Sequence, residues 1–321
     1  MTGFKDKVAV ITGAASGIGR ALAERCAHEG MKVVLADGML AGASDTVFGA
    51  QARLQTIDAW LGVLAFSGQI FFDFAGYSTC AIGIGAALGF SLPENFRYPY
   101  AAAGFSDFWR RWHITLSTWL RDYLYIPLGG NRKGEVRTYI NLMLTMLIGG
   151  LWHGASWTFV VWGGLHGAYL CIERLLRGKP AKLPEGEPEA SPVVVTAASI
   201  VPVFLKSRAL NRFLLVLLTF FLINVTWVFF RAQDFATAWR LLGSMFTPTP
   251  DGVMVLSTLA IYKVTVVVTL MIACHWILRN RNVLTVGKQA PWWLTGVAWA
   301  GMIALLMLSQ ESSSSFIYFQ F

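Results

Sequence analysis

The chain has 321 residues, 55% of them hydrophobic and only 14% charged, with a formal net charge of +8. Together with a mean hydropathy of +0.53, this excludes an ordinary soluble domain and predicts a membrane protein. The positive charge falls in short clusters between apolar runs, not along one face, so it argues for bilayer topology and against nucleic acid as a partner.

The first element in chain order is Lys7 to Asp37, KVAVITGAASGIGRALAERCAHEGMKVVLAD. Its pattern is a strand, a glycine-rich turn, a helix and a second strand. Gly13, Gly17 and Gly19 suit a tight turn approached by a pyrophosphate, and Asp37 stands where an acidic residue would meet a ribose. TGAASGIG resembles the short-chain dehydrogenase family, but no tyrosine here is followed four positions later by the lysine that family uses. Two strands and one helix bury too little to stand alone. Residues 1–36 therefore read as a small β-α-β, Rossmann-like fragment without a working nicotinamide site.

Residues 37–321 are predicted to form an all-α polytopic membrane region. Apolar runs occupy Ile57–Phe72, Tyr77–Phe90, the amphipathic Phe105–Tyr123, Thr138–Leu151, Ser156–Ile172, Arg212–Phe230, Val253–Leu278 and Trp292–Ser309. Gly178 to Ala198, rich in proline and charge, reads as an exposed loop, and Asp234 to Leu242 as a short interfacial helix. Lysine and arginine gather after Ile172 and again at Arg279, Arg281 and Lys288, which predicts cytoplasmic loops there and an outward-facing C-terminus. Cys26, Cys80, Cys171 and Cys274 show no metal-ligand spacing and read as packing residues.

The functional signal concentrates between Phe105 and Trp157. Ser106 is a candidate cap and Asp107 suits a first turn, while Pro127, Gly129 and Gly130 end the pattern, so one helix of about five turns is expected. On it Ser106, Arg110, His113, Ser117 and Arg121 would form a polar, cationic stripe carrying a histidine. A second histidine, His153, follows Gly149 and Gly150 at the end of an apolar run, and an ionisable residue at membrane depth marks a functional site. Gly163 and Gly167 form a small-xxx-small face for helix packing, with His166 beside it as a structural residue. His28 and His275 are given no role. Neither histidine of the central pair has an HExxH or carboxylate context, so no metal is expected.

The segment FWRRWHITLSTWLRDYLYIPLGGNRKG, the later LWHGASW, Ile70 to Tyr100 and the C-terminal FIYFQF closely resemble the membrane-bound O-acyltransferase family, in particular its alginate-acetylating branch. The resemblance covers roughly nine-tenths of the chain and overlaps the dehydrogenase-like segment at Lys32 to Asp37, where two unrelated coding sequences read as joined. It implies that His153 is the catalytic base and His113 the second catalytic histidine. Arg110, Arg111 and Arg121 would then steer an anionic donor such as acetyl-CoA, with no bound cofactor. It further implies a bacterial inner-membrane location with a periplasmic C-terminus, periplasmic acetyl-transfer partner proteins and a polysaccharide acceptor. The D-alanyl branch acting on teichoic acid stands as the alternative acyl chemistry. Family members carry further helices before the position of Lys32, which leaves an inactive membrane scaffold as a third reading.

Overall fold

The computed structural model of the chain describes residues 8–11, 32–35, 38–177, 208–281 and scattered positions between 291 and 300. The turn at Gly13 to Gly19 and its helix, Asp37, Cys26, His28, the proline-rich loop, and most of the Trp292–Ser309 run lie outside the described residues, as does the C-terminal FIYFQF. The chain divides into two compact units, residues 1–96 with 227–321, and residues 97–226.

In the first unit, β1 (Val8–Ile11) and β2 (Lys32–Leu35) pair in parallel, Val8 opposite Lys32 and Ile11 opposite Leu35. Helix α1 (Gly38–Gly49) lies along α2 (Thr56–Ala87). Their approach depends on missing side chains, because a Cβ on Gly62 would overlap Val47 and one on Gly68 would overlap Leu40. Phe66, fully buried on α2, meets Phe48 at 5.8 Å and Trp227 edge-on at 6.1 Å. Arg231 reaches Asp45 at 2.8 Å and lies over the Phe48 ring.

The sequence pattern predicts two apolar elements between Ile57 and Phe90, whereas α2 runs unbroken for 32 residues. Nothing between Phe72 and Tyr77 stops it: Asp73 is buried within the helix, and Gly76 costs only about 1 kcal/mol relative to alanine. Helix α8 (Phe235–Phe246) begins where Asp234 accepts the Thr237 amide at 2.7 Å. It buries Ala238, Leu241 and Met245 and exposes Trp239 and Phe246, the amphipathic form expected of an interfacial helix. Before α9 (Thr258–Leu278), buried Asp58 accepts the amides of Val255 and Leu256 at 2.5 and 3.0 Å and ties the connecting strap to α2.

The second unit holds a 3₁₀ turn (Pro99–Ala101), α3 (Phe105–Trp109), α4 (Ile114–Leu120), a π-type turn (Arg121–Tyr125), α5 (Glu135–His153) and α6 (Trp157–Arg177). Helix α7 (Arg208–Arg231) belongs to it as far as Thr226. Helices α5 and α6 pack backbone to backbone. A Cβ on Gly150 would collide with the Phe159 carbonyl oxygen, one on Gly163 with that of Met146, and one on Gly167 with the Met143 sulfur. The expected Gly163/Gly167 packing face is thus real, and its partner surface on α5 is formed by Met143, Met146 and Gly150.

Among the described residues, three helices are long and apolar enough to cross a membrane: Thr56–Ala86, Leu210–Arg231 and Thr258–Leu278. The protein is a mostly helical membrane protein.

Candidate active site

The expected single helix over Phe105 to Tyr123 is instead broken. α3 ends at Trp109, His113 takes a left-handed conformation with φ of 44°, and α4 starts at Ile114. Arg110, His113, Ser117 and Arg121 therefore do not form one helical stripe. Left-handed backbone in a side-chain-bearing residue costs on the order of 1–3 kcal/mol and persists where its surroundings hold it. Here the Arg97 amide donates to the Arg111 carbonyl at 2.9 Å, and the Ser117 hydroxyl donates to the Trp112 carbonyl at 3.2 Å. The Arg111 Nε also donates to Asp107 Oδ1 at 2.8 Å.

The cap is corrected as well. Gly104, with φ of 106°, stands at the N-cap of α3, and Ser106 lies inside the helix. The amides of Phe105 and Ser106 donate instead to Glu173 Oε2 on α6, at 2.6 and 3.0 Å. Glu173 is 5% exposed. Sequence reasoning passed over it, although a lone carboxylate beside a long apolar run is the signal that would have found it.

The histidines themselves are brought together. His113, buried at the break, faces the Trp152 ring at 6.4 Å; Trp152 adjoins His153 at 5.0 Å; His153 meets Trp162 edge-on at 5.1 Å; and Trp162 meets His166 at 4.9 Å. His113, His153 and His166 lie within electrostatic reach of one another in that order. His153 is the last residue of α5 and only half-buried, so its imidazole sits at a helix end.

His166 is fully buried, and its Nε2 lies 3.0 Å from the Thr226 hydroxyl. That hydroxyl spends its proton on the Ile223 carbonyl at 2.7 Å, so it must accept from His166, which fixes the Nε2–H tautomer. His275 is buried in the first unit, edge-on to Phe71.

The three arginines are distributed differently from the expectation. Arg110 follows α3 at its C-cap and is exposed, Arg111 is engaged by Asp107, and exposed Arg121 pairs with Asp122 at 2.7 Å. Arg121 also lines a cavity of about 230 Å³ with Trp109, Ser117, Thr145, Met146 and Leu170. Neither His113 nor His153 lines it. Trp109 connects it to the histidines, standing 5.9 Å from Trp162.

The profile of the membrane-bound O-acyltransferase family matches residues 33–205, more than half of the chain. The chain belongs to that family. Bacterial proteins are among its relatives. A probable alginate O-acetylase AlgI of Azotobacter vinelandii is 48% identical over 216 residues, 67% of this chain and 38% of that protein. One of Pseudomonas putida is 40% identical over 314 residues, 90% of this chain and 58% of that protein. A peptidoglycan O-acetyltransferase of Helicobacter pylori is 38% identical over 309 residues, 90% of this chain and 54% of that protein. The chain thus spans between roughly a third and three-fifths of the length of these family members. The family match encloses every residue of the histidine line but Thr226.

Proposed function

We propose that the chain carries the histidine centre of an O-acyltransferase that moves an acetyl group from a cytosolic thioester toward hydroxyls of an exported polysaccharide. The observation that carries this reading is the convergence of His113, His153 and His166 through Trp152 and Trp162, in a chain whose more extensively matched relatives are named for O-acetylation of alginate or peptidoglycan, while others matched over about a third of it are named for D-alanyl transfer to teichoic acid. His153 takes the proton of the acceptor hydroxyl as its oxygen attacks the thioester carbonyl. The carbon–sulfur bond then breaks, and the same imidazole returns the proton to the departing thiolate, ending neutral. His113, its ring facing Trp152, orients the reacting groups. Arg110, Arg111 and Arg121 attract the anionic end of acetyl-CoA; the place of Arg121 on the cavity wall supports this for Arg121 alone.

On this reading the chain sits in the bacterial inner membrane with its C-terminus in the periplasm. There, partner proteins pass acetyl groups to an acceptor such as alginate. Likeness to the Helicobacter pylori protein over 90% of the chain supports peptidoglycan as the second acceptor. Residues 1–36 are read as a dehydrogenase-like fragment joined at Lys32 to Asp37. The start of the family match at residue 33 is what supports that reading.

The test is kinetic. His153→Ala is expected to slow acetyl transfer by about a hundred- to ten-thousand-fold with its membrane level unchanged. His113→Ala is expected to recover more of its loss with excess donor. Equal losses at saturating donor, or an active His153→Ala protein, would refute the assignment. Absence of transfer by the unaltered chain would leave an inert scaffold.

A further inference from the structure

We propose that Glu173 is a positioning residue: from α6, the helix after His153, its carboxylate holds the strained segment that presents His113. The kinetic part of this inference rests on the function proposed above; the geometric part does not.

Helix α3 is only five residues long and has no side-chain cap of its own. So short a helix has little internal cohesion. Its first amides, Phe105 and Ser106, both donate to Glu173 Oε2. Carboxylate acceptance at a helix start gives strong, charge-assisted bonds, which water does not weaken when the carboxylate is buried. The same turn is held at two further points. The Gly104 amide donates to the Thr219 hydroxyl at 2.9 Å, and the Ala103 amide donates to Asp107 Oδ2 at 3.0 Å. Phe105 then stacks on Tyr169, one turn before Glu173, at 4.4 Å.

The backbone is fitted to the carboxylate. Gly104 has φ of 106°, and a Cβ there would lie 2.9 Å from Glu173 Oε1. Only glycine gives both the conformation and the space. Four residues beyond α3, His113 holds its left-handed conformation. A costly backbone state survives only when the parts around it are fixed, and Glu173 fixes the start of the short helix that leads into it. Because Glu173 and Trp162 share α6, one helix both touches the His153 ring and anchors the His113 segment. The relative placement of the two histidines is set by that helix.

The experiment uses the full chain in membranes. Diethyl pyrocarbonate modification of each histidine is followed by mass spectrometry, alongside acyl transfer at saturating donor. Glu173→Ala is expected to raise the modification rate of His113 roughly tenfold or more, the minimum effect of losing hydrogen bonds to a charged group, while that of His153 stays unchanged. Gly104→Ala should reproduce the effect from the other side of the contact, and Glu173→Gln, which keeps the shape and one acceptor oxygen, should largely restore protection and turnover. The proposal is overturned if His113 stays protected in both alanine variants. It is equally overturned if His113 and His153 become reactive together, which is general unfolding, or if His113 opens with turnover undiminished. If the unaltered chain transfers no acyl group, the function proposed above fails, and the modification pattern still decides the role of Glu173.

Discussion

Adding one methyl group at Gly163 should weaken the α5–α6 pair more than its size implies. The new Cβ would strike the Met146 carbonyl oxygen and stand 3.3 Å from the Gly150 Cα, so both obstacles are backbone and neither can rotate away. Restoring ordinary contact, roughly 3.5–4.0 Å between carbons, requires the two helices to part by roughly 1 Å over several turns. Overpacking of this kind costs about 1–3 kcal/mol, which is roughly 5- to 150-fold in the folded population. Gly150 lies just under one turn before His153, so the same displacement would widen the 5.1 Å contact between His153 and Trp162. Gly42 provides the control: it is exposed on α1, and a Cβ there meets nothing within 4 Å. Gly42→Ala is therefore expected to stabilise by about 0.5–1 kcal/mol through helix propensity. Unfolding in mixed micelles, followed by tryptophan fluorescence, compares the two. A Gly163→Ala protein as stable as the unaltered chain, or no less stable than Gly42→Ala, would refute the reasoning.

Asp58→Ala should destabilise the strap before α9 by about 1–3 kcal/mol for each of the Val255 and Leu256 amides left unbonded, read as faster proteolysis near Gly252. The Thr237 amide holds the Asp234 carboxyl below its usual 3.8, so this cap stabilises α8 above that pH and is lost as pH falls through the lowered value. The melting difference between the unaltered chain and Asp234→Ala should accordingly be full at pH 6 and vanish in strong acid; a difference independent of pH would contradict the assignment. Alkaline carbonate should leave the chain in the membrane pellet, as three membrane-length helices require, and release into the supernatant would contradict the membrane reading.

Membrane class and family were legible in the sequence because they depend on local order. Apolar runs long enough to span announce themselves without a fold, as does the LWHGASW motif that led to the family. The Gly163/Gly167 spacing likewise predicted a packing face, since residues four apart on a helix share a side whatever they meet. The ends and breaks of elements were another matter. Phe105 to Tyr123 has the periodicity of one helix, yet it breaks at His113, because Glu173, 68 residues past Phe105, and Thr219 and the Arg97 backbone supply bonds that the local sequence does not. The reverse holds in α2, where Asp73 and Gly76 look like an interruption and burial within the unit carries the helix through them. His113 and His153 were identified as residue types in a pattern, and His166 as a packing neighbour. That ring contacts link the three, with His166 fixed in one tautomer by Thr226, depends on distant partners, His113 with Trp152 and His166 with Thr226. Periodicity records what a residue faces along its own helix; only the packed chain decides which distant backbone group, carboxylate or ring completes it.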